Sequence, residues 1–199
     1  MIKTNITREY PAHIATCAYS DKSLYLADYT QKTKTLALEE RRGVVIQDIP
    51  PTDIDYFTLQ NDVGLQNGFI KFDNTSFTRP GNNPLPQCEC VVFPETSTND
   101  SWIFFAELKY SDNTYNNNNK KLAEAIRQLY KTRTYYFQKG IFSKTNTCYL
   151  LASLPMQAEP FVQTIVSPTD LQRLKRKHNV VLRLRNHAEI VNDKKINVY

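Results

Sequence analysis

The sequence predicts an α/β domain in which one mixed central β-sheet is flanked by helices. Two observations carry this prediction: several apolar runs have the length of buried strands, and a long segment with helical periodicity separates two of them. The composition agrees, since 41% of the 199 residues are apolar and 23% are charged, as in ordinary soluble domains. This length suits one domain with its own core, so we expect residues 1–199 to form a single domain.

The first half of the chain predicts a helix followed by three strands. Residues 23–41 carry apolar side chains at helix-compatible spacing, and Gly43 would end that helix. The three strands are predicted in GFIKF (68–72), CECVVF (88–93) and WIFFAELK (102–109), with short extended pieces in GVVIQDIPP and IDYFTL. Turn-forming residues separate the three strands, notably in DNTSFTRPGNNPLP and PETSTND.

The second half predicts a long helix, a strand and a basic C-terminal unit. Apolar residues recur near every 3.6 positions from 120 to 138, and Gly140 can end that helix. The asparagine-rich segment before it, SDNTYNNNN, predicts a loop with an asparagine cap. TCYLLASLP (147–155) predicts a buried strand, a short helix is expected to begin near residues 167–170, and NVVLRLRN predicts a late strand.

No apolar run approaches the roughly 18 to 20 residues that span a bilayer. The first residues, MIKTNITREYPAHIATCAYS, lack the apolar segment of a secretory signal. We therefore expect a cytoplasmic protein that does not enter a membrane. The net charge of +5 permits an anionic partner without requiring one. None of the four cysteines forms a CxxC pair and the three histidines lack zinc-ligand spacing, so buried reduced thiols are expected.

Glu107 and Lys109 stand at the end of an otherwise apolar strand and share one of its faces. If the strands of CECVVF and WIFFAELK form a hairpin that pairs Phe93 with Ser101, Glu89 lies diagonally beside Glu107, roughly 7 to 8 Å away. A shift of two residues would place the two carboxylates directly opposite each other. Such carboxylates repel unless a proton or cation lies between them, which favours a divalent cation. The alternative is a plain salt bridge from Lys109 to either carboxylate.

These segments resemble the PD-(D/E)XK nuclease superfamily. PQCECVVF supplies Pro86 and Glu89, FFAELKYS supplies the E-x-K of Glu107 and Lys109, and KKLAEAIRQLYKTRTYYF supplies the following helix. The resemblance covers about residues 22–155 and implies a restriction-endonuclease-like αβββαβ core, with residues 156–199 as a basic C-terminal extension. One departure is that the family usually has aspartate, with the proline adjacent, where this chain has Glu89.

The resemblance also implies the roles of the site residues. Glu89 and Glu107, with the backbone carbonyl of Leu108, would hold Mg²⁺ or Mn²⁺. Lys109 would orient or activate the attacking water, and Gln128 on the long helix would hold that water or the lysine. Three further acids are candidates: Asp73 is expected to be a turn residue, and Glu39 and Glu40 are expected to be solvated charges.

Basic residues predict contacts with phosphate groups. The stretch from 173 to 185 contains no acid, and two more basic residues lie on the long helix. The set is Lys131, Arg133, Arg173, Lys175, Arg176, Lys177, Arg183 and Arg185. In VVLRLR, Arg183 and Arg185 share one strand face, which suits a nucleic-acid backbone. No RNA-binding or zinc-finger motif and no clear helix-turn-helix is present, so base-specific recognition is not predicted.

The sequence therefore predicts a metal-dependent hydrolase of phosphodiester bonds, with DNA as the favoured substrate. The alternative is a catalytically inactive protein of the same fold that binds nucleic acid or acts as an assembly subunit. A third interpretation is a scaffold in which Glu107 and Lys109 form only a salt bridge. A phosphate-binding glycine loop is excluded because the five glycines form no cluster. The sequence leaves open a protein partner or a second copy of the chain.

Overall fold

The computed structural model describes residues 1–111 and 115–199, in which five α-helices and eleven β-strands are found. The helices are α1 (Ile2–Glu9), α2 (Pro11–Ala15), α3 (Thr30–Thr33), α4 (Tyr115–Gln138) and α5 (Pro168–His178), with a 3-10 turn at Leu38–Glu40. The strands are β1 (Ala18–Ser20), β2 (Leu24–Asp28), β3 (Val44–Gln47), β4 (Phe57–Gln60), β5 (Asn67–Lys71), β6 (Cys90–Pro94), β7 (Ile103–Leu108), β8 (Cys148–Ser153), β9 (Val180–Leu184), β10 (His187–Asn192) and β11 (Lys195–Asn197).

The strands form two mixed sheets. The first sheet has six strands in the order β1-β5-β6-β7-β8-β9, and the second has five in the order β11-β10-β4-β2-β3. In the first sheet β5, β6 and β7 are an antiparallel meander, while β8 and β9 continue parallel to β7. The mixed α/β class is thus confirmed, but the expectation of one central sheet is wrong.

Two hydrophobic cores lie on opposite faces of the first sheet. One joins Phe105 and neighbouring strand residues to α1 and α4, and the other joins Phe104 and Trp102 to the second sheet. Because β7 is covered on both faces, all six of its residues are buried, which explains its continuous apolar run. In the described ranges, no helix has both the length and the apolarity needed to cross a bilayer.

The predicted helix over residues 23–41 is wrong. Its start is β2, which pairs with β3 and β4, and only Thr30–Thr33 and Leu38–Glu40 are helical. Leu24 and Leu26 are buried while Tyr25 between them is partly exposed, which is the period of a strand. The apolar spacing that predicted a helix came from two separate segments, one in β2 and one near the 3-10 turn at Leu38–Glu40. The helices that precede the first sheet lie earlier, where Ile2 and Ile6 bury one face of α1.

The long helix begins at Tyr115 rather than at residue 120. Part of the predicted loop, residues 112–114, lies outside the described residues, but residues 116–119 are helical. Asn118 is buried in this helix, and its side-chain amide is satisfied by two hydrogen bonds with the amide of Gln157, at 2.8 and 2.6 Å. Gly140, at φ +66°, follows the helix as expected.

The C-terminal region contributes to both sheets. α5 begins after Ser167, whose hydroxyl accepts the amide of Asp170 at 3.1 Å, and β9 is the outer strand of the first sheet. The hairpin of β10 and β11, which the sequence analysis did not predict, completes the second sheet. Residues 180–197 are therefore integral to the two-sheet architecture.

Candidate active site

The acidic residues come together where β6 begins and β7 ends. The observed register pairs Cys90 with Ala106 and Val91 with Phe105, so the predicted pairing of Phe93 with Ser101 is wrong by two residues. The reason is that Ser101 belongs to the loop, where its hydroxyl accepts the Thr98 amide at 2.8 Å. Glu89 lies immediately before β6, and its backbone amide donates to the carbonyl of Ala106 at 3.1 Å, so Glu89 is next to the strand end that carries Glu107.

Lys109 forms an ion pair inside this site. Its Nζ lies 2.8 Å from Oε1 of Glu107 and 3.6 Å from Oε1 of Glu124 on α4. The Glu107 side chain is only 2% exposed and that of Lys109 17%. The salt bridge considered from the sequence is therefore present. It satisfies one oxygen of Glu107 and leaves the other for a separate partner.

Four buried oxygen atoms in this region accept no hydrogen bond from the described residues: Oε2 of Glu107, Oε2 of Glu89, Oε1 of Gln128 and Oε1 of Gln87. A buried acceptor without a donor costs about 1 to 3 kcal/mol, and more when it is charged. All four are acceptors, so what would satisfy them is a cation or a group that donates hydrogen bonds. This is unlike a closed structural ion pair, in which each oxygen already has its donor.

Burial dominates the electrostatics of the two glutamates. It raises the pKa of Glu107 to about 7, against the opposing effect of the Lys109 ammonium. Burial also raises the pKa of Glu89 well above its usual range, and the negative charges of Glu107 and Asp28 raise it further. For Lys109, burial lowers the pKa, but Glu107 and Glu124 outweigh it and the net shift is upward. Without a cation, the pair of glutamates therefore holds protons at a higher pH than ordinary carboxyl groups.

We expect the raised pKa of Glu107 to appear in the pH dependence of stability. The folded state favours the protonated carboxyl, so this contribution is present below the ordinary pKa of 4.5 and is lost as pH rises through about 7. In EDTA, the free energy of unfolding of the wild type, relative to Glu107→Gln, should fall by up to about 3 kcal/mol between about pH 5 and pH 8. Urea titrations at each pH measure it. A difference that does not change with pH would contradict the assignment.

Asp28, at the end of β2, is an acidic residue of this region that the sequence analysis missed. Its charge raises the pKa of both Glu89 and Glu107. Its backbone amide donates to the hydroxyl of Tyr110 at 3.2 Å, and that hydroxyl donates to the carbonyl of Asp55 at 2.7 Å. The alternating LYLAD pattern could have identified a strand ending in an acid, but residues 23–41 were interpreted as a helix.

The other predicted residues lie in different surroundings. Nε2 of Gln128 donates to the backbone carbonyl of Gln87 at 2.9 Å, so Gln128 ties α4 to the segment that leads into β6. Among the described residues it forms no hydrogen bond with Lys109. Asp73 is a turn residue as expected, since its Oδ1 accepts the amide of Thr75 at 2.8 Å. Glu39 and Glu40 are exposed, as expected, although the 3-10 turn replaces the predicted helix.

Two of the three ligands predicted for Mg²⁺ or Mn²⁺, Glu89 and Glu107, are close enough to affect each other's charge. Across residues 1–111 and 115–199, no group of three or more histidine, cysteine, aspartate or glutamate side chains is arranged to hold a metal ion. Mg²⁺ commonly takes only one or two protein carboxylates and completes its octahedron with water and substrate phosphates. Glu89 and Glu107 are two carboxylates, each with a buried oxygen that accepts no hydrogen bond within residues 1–111 and 115–199. The Leu108 carbonyl belongs to the same strand end.

The predicted basic residues divide into paired and unpaired groups. Arg173 pairs with Asp170 at 2.9 Å and Arg185 with Glu159 at 3.2 Å. Arg133 lies against Phe137, 4.8 Å from the ring centroid, which makes it a packing residue. In the described parts of the chain, Lys131, Lys175, Arg176, Lys177 and Arg183 form no ion pair with a carboxylate.

The basic face of β9 lies on the opposite side of the first sheet from Glu107. Arg183 pairs with Leu151, which belongs to the core between the two sheets. Leu184 shares a row with Ala152 and Glu107, and Ala152 belongs to the core beside α4. The sequence-predicted alternation of VVLRLR is thus confirmed, but it separates Arg183 from Glu107.

Comparison of the chain with protein-family models, curated proteins and solved structures gives no match in any of the three.

Proposed function

We propose that this protein is a divalent-cation-dependent phosphodiester hydrolase of the PD-(D/E)XK type, acting on nucleic acid with DNA as the favoured substrate. The observation that carries the proposal is the state of Glu107. Its side chain is 2% exposed, one oxygen is bound by Lys109, and the other has no hydrogen-bond partner among the described residues, while Glu89 lies near enough for the charge of Glu107 to raise its pKa. A site that buries two carboxylates and leaves an oxygen of each without a donor is suited to a cation.

The order of elements supports the same assignment. The meander of β5, β6 and β7 is followed along the chain by α4 and then by β8 parallel to β7, while β1 to β4 and α3 lie between α2 and β5. The resemblance implies a meander, a helix and a strand in this order, although only short helical turns, at Thr30–Thr33 and Leu38–Glu40, stand where it implies the first helix. The E-x-K residues lie at the end of the third strand of the meander, and Glu89 lies at the start of the second.

The side chains can be assigned roles in hydrolysis. Glu89, Glu107 and the Leu108 carbonyl would hold Mg²⁺ or Mn²⁺, which when bound polarises a phosphoryl oxygen and lowers the pKa of a bound water. Lys109 is held in place by Glu107 and Glu124, so its ammonium can donate to the attacking water or to a phosphate oxygen as negative charge develops. Gln128 would act indirectly, by fixing the segment before Glu89 through its bond to Gln87.

The second candidate is a protein of this fold that binds nucleic acid without cleaving it. Glu89 favours it, because the family usually carries aspartate at this position and the pKa of Glu89 is raised well above its usual range. A carboxyl group that stays protonated is a poor ligand for a hard cation. Cleavage assays decide between the two candidates.

We expect cleavage that depends on a divalent cation. The purified chain is incubated with supercoiled, linear and single-stranded DNA and with RNA, each in Mg²⁺, Mn²⁺ or EDTA. Cleavage in Mg²⁺ or Mn²⁺ that stops in EDTA and returns when cation is restored is the expected result, with DNA cut faster than RNA. If every substrate stays intact in both metals while nucleic acid is bound, the non-cleaving candidate replaces the first.

A further inference from the structure

A groove with cationic walls lies between α5, the outer strand β9 and the turn that joins β10 to β11. It consists of two adjoining depressions of about 400 and 510 Å³. Both are lined by Lys175, Val181 and Arg183, so the two form one continuous feature. Arg176 extends the cationic wall at one end, and Lys194 and Lys195 extend it at the other.

The cations of this groove are mostly not neutralised by acids. Nζ of Lys175 donates to the amide oxygen of Asn179 at 2.6 Å, and Nη1 of Arg183 donates to the carbonyl of Leu182 at 2.9 Å. Of the groove cations only Lys194 pairs with a carboxylate within the described residues, namely that of Asp100 at 2.7 Å. Elsewhere on the surface, ion pairs neutralise Lys3, Lys22, Lys32, Arg173 and Arg185.

The pKa of Lys175 reflects the positive charges around it. Burial lowers its pKa, and the positive charge of Arg183 lowers it further. The two cations line the same depressions, and no carboxylate of the described residues forms an ion pair with either. An anion bound between Lys175 and Arg183 would be attracted by both and would offset the repulsion between them.

The shape of the groove suits an extended ligand. Its floor is formed by Val181, Tyr149 and Ile196, and the Tyr149 hydroxyl is already occupied by the Ile196 amide at 3.1 Å. β9 is the outermost strand of its sheet, so no further strand closes that side. An apolar floor between cationic walls can accept the sugars of a polymer while its phosphates reach the walls.

We propose that this groove binds the phosphate backbone of a nucleic-acid strand through Lys175, Arg183 and Lys195. Arg183 projects from the face of the first sheet opposite to Glu107, so the groove is a second contact surface, separate from the candidate active site. Its binding does not need hydrolysis or a divalent cation. Recognition is through phosphodiester charges, so affinity depends steeply on salt and little on base sequence.

The test measures binding of a fluorescent DNA oligonucleotide by anisotropy in EDTA, over a series of salt concentrations. The double variant Lys175→Gln/Arg183→Gln is compared with Lys3→Gln/Lys22→Gln, which removes the same charge from residues already paired with Glu95 and Asp48. We expect the groove variant to bind at least about tenfold more weakly and its log–log salt slope to fall by about 1.4 to 1.8. The control should keep the wild-type slope.

Several outcomes would overturn the proposal: equal slopes in the two double variants, no binding by the wild type, or equal competition by a polyglutamate peptide or by inorganic phosphate. Arg183 is partly buried, so if its variant fails to fold, Lys175→Gln/Lys195→Gln gives the same test with two exposed residues. Failure of the proposed hydrolase is seen separately. If the wild type binds DNA through the groove but never cleaves it, the groove proposal stands and the proposal of a hydrolase is rejected.

Discussion

Glu107→Gln is expected to lower the rate of divalent-dependent cleavage by about 100- to 1,000-fold, as the loss of one preorganised electrostatic group does in other sites. The substitution keeps the shape of the side chain and removes its charge. Because Lys109 lies 2.8 Å from Glu107, it also releases the ammonium from its position. Initial rates on the preferred DNA substrate, at saturating Mg²⁺, measure the effect.

Glu95→Gln is the matched control for this substitution. Glu95 forms an ion pair of similar length with Lys3, at 2.9 Å, far from the candidate site in a partly exposed position. The control should cleave at the wild-type rate, and both variants should bind DNA in EDTA as the wild type does. Cleavage by Glu107→Gln within about threefold of the control would reject Glu107 as a catalytic residue, since the expected loss is far larger.

Trp102→Ala is expected to lower the free energy of unfolding by about 3 to 5 kcal/mol. Trp102 is fully buried in the core between the two sheets. Its indole Nε1 donates to the carbonyl of Asn192 at 2.8 Å. Its backbone amide donates to the carbonyl of Asp193 at 3.2 Å. The truncation would therefore leave a cavity and an unpaired carbonyl where β7 meets the β10–β11 hairpin.

Urea unfolding followed by circular dichroism measures this loss. Trp102→Phe should cost less than the alanine variant, because it refills much of the cavity and loses mainly the hydrogen bond. Ile49→Ala is the control, since Ile49 is 70% exposed and its truncation should change stability by no more than about 0.5 kcal/mol. A Trp102→Ala protein as stable as this control would mean that the two sheets do not depend on each other at this contact.

The elements that the sequence predicted well are those whose local pattern and final environment agree. β7 is apolar throughout and is buried on both faces, and α5 starts where Ser167 and Pro168 predict a start. The second sheet was not predicted as a sheet because its strands are short and lie far apart in sequence, although the extended pieces predicted in GVVIQDIPP and IDYFTL contain β3 and β4. β4 pairs with β10 in parallel, Thr58 with His187, a contact that no local pattern encodes.

In the candidate site, likewise, the sequence predicted what a local pattern encodes and not what depends on distant segments. Glu107 and Lys109 can be placed on one face because side chains alternate along a strand. Glu89 can be placed near them only if the two strands are assumed to form a hairpin. The register depended on whether Ser101 belonged to the loop or to the strand, and its hydrogen bond with Thr98 decided this. The LYLAD pattern could have identified the strand that Asp28 ends, but not its position near the glutamates, because that position depends on how the second sheet packs against the first.

Trp102 is also the single tryptophan of the chain, which gives the protein a built-in optical reporter. The indole lies at the beginning of β7, whereas Glu107 lies five residues later, about 17 Å away along an extended strand. Its emission should therefore follow the separation of the two sheets while changing little when a cation occupies the carboxylates. Fluorescence on one unlabelled sample can thus monitor loss of the fold independently of events at the candidate site.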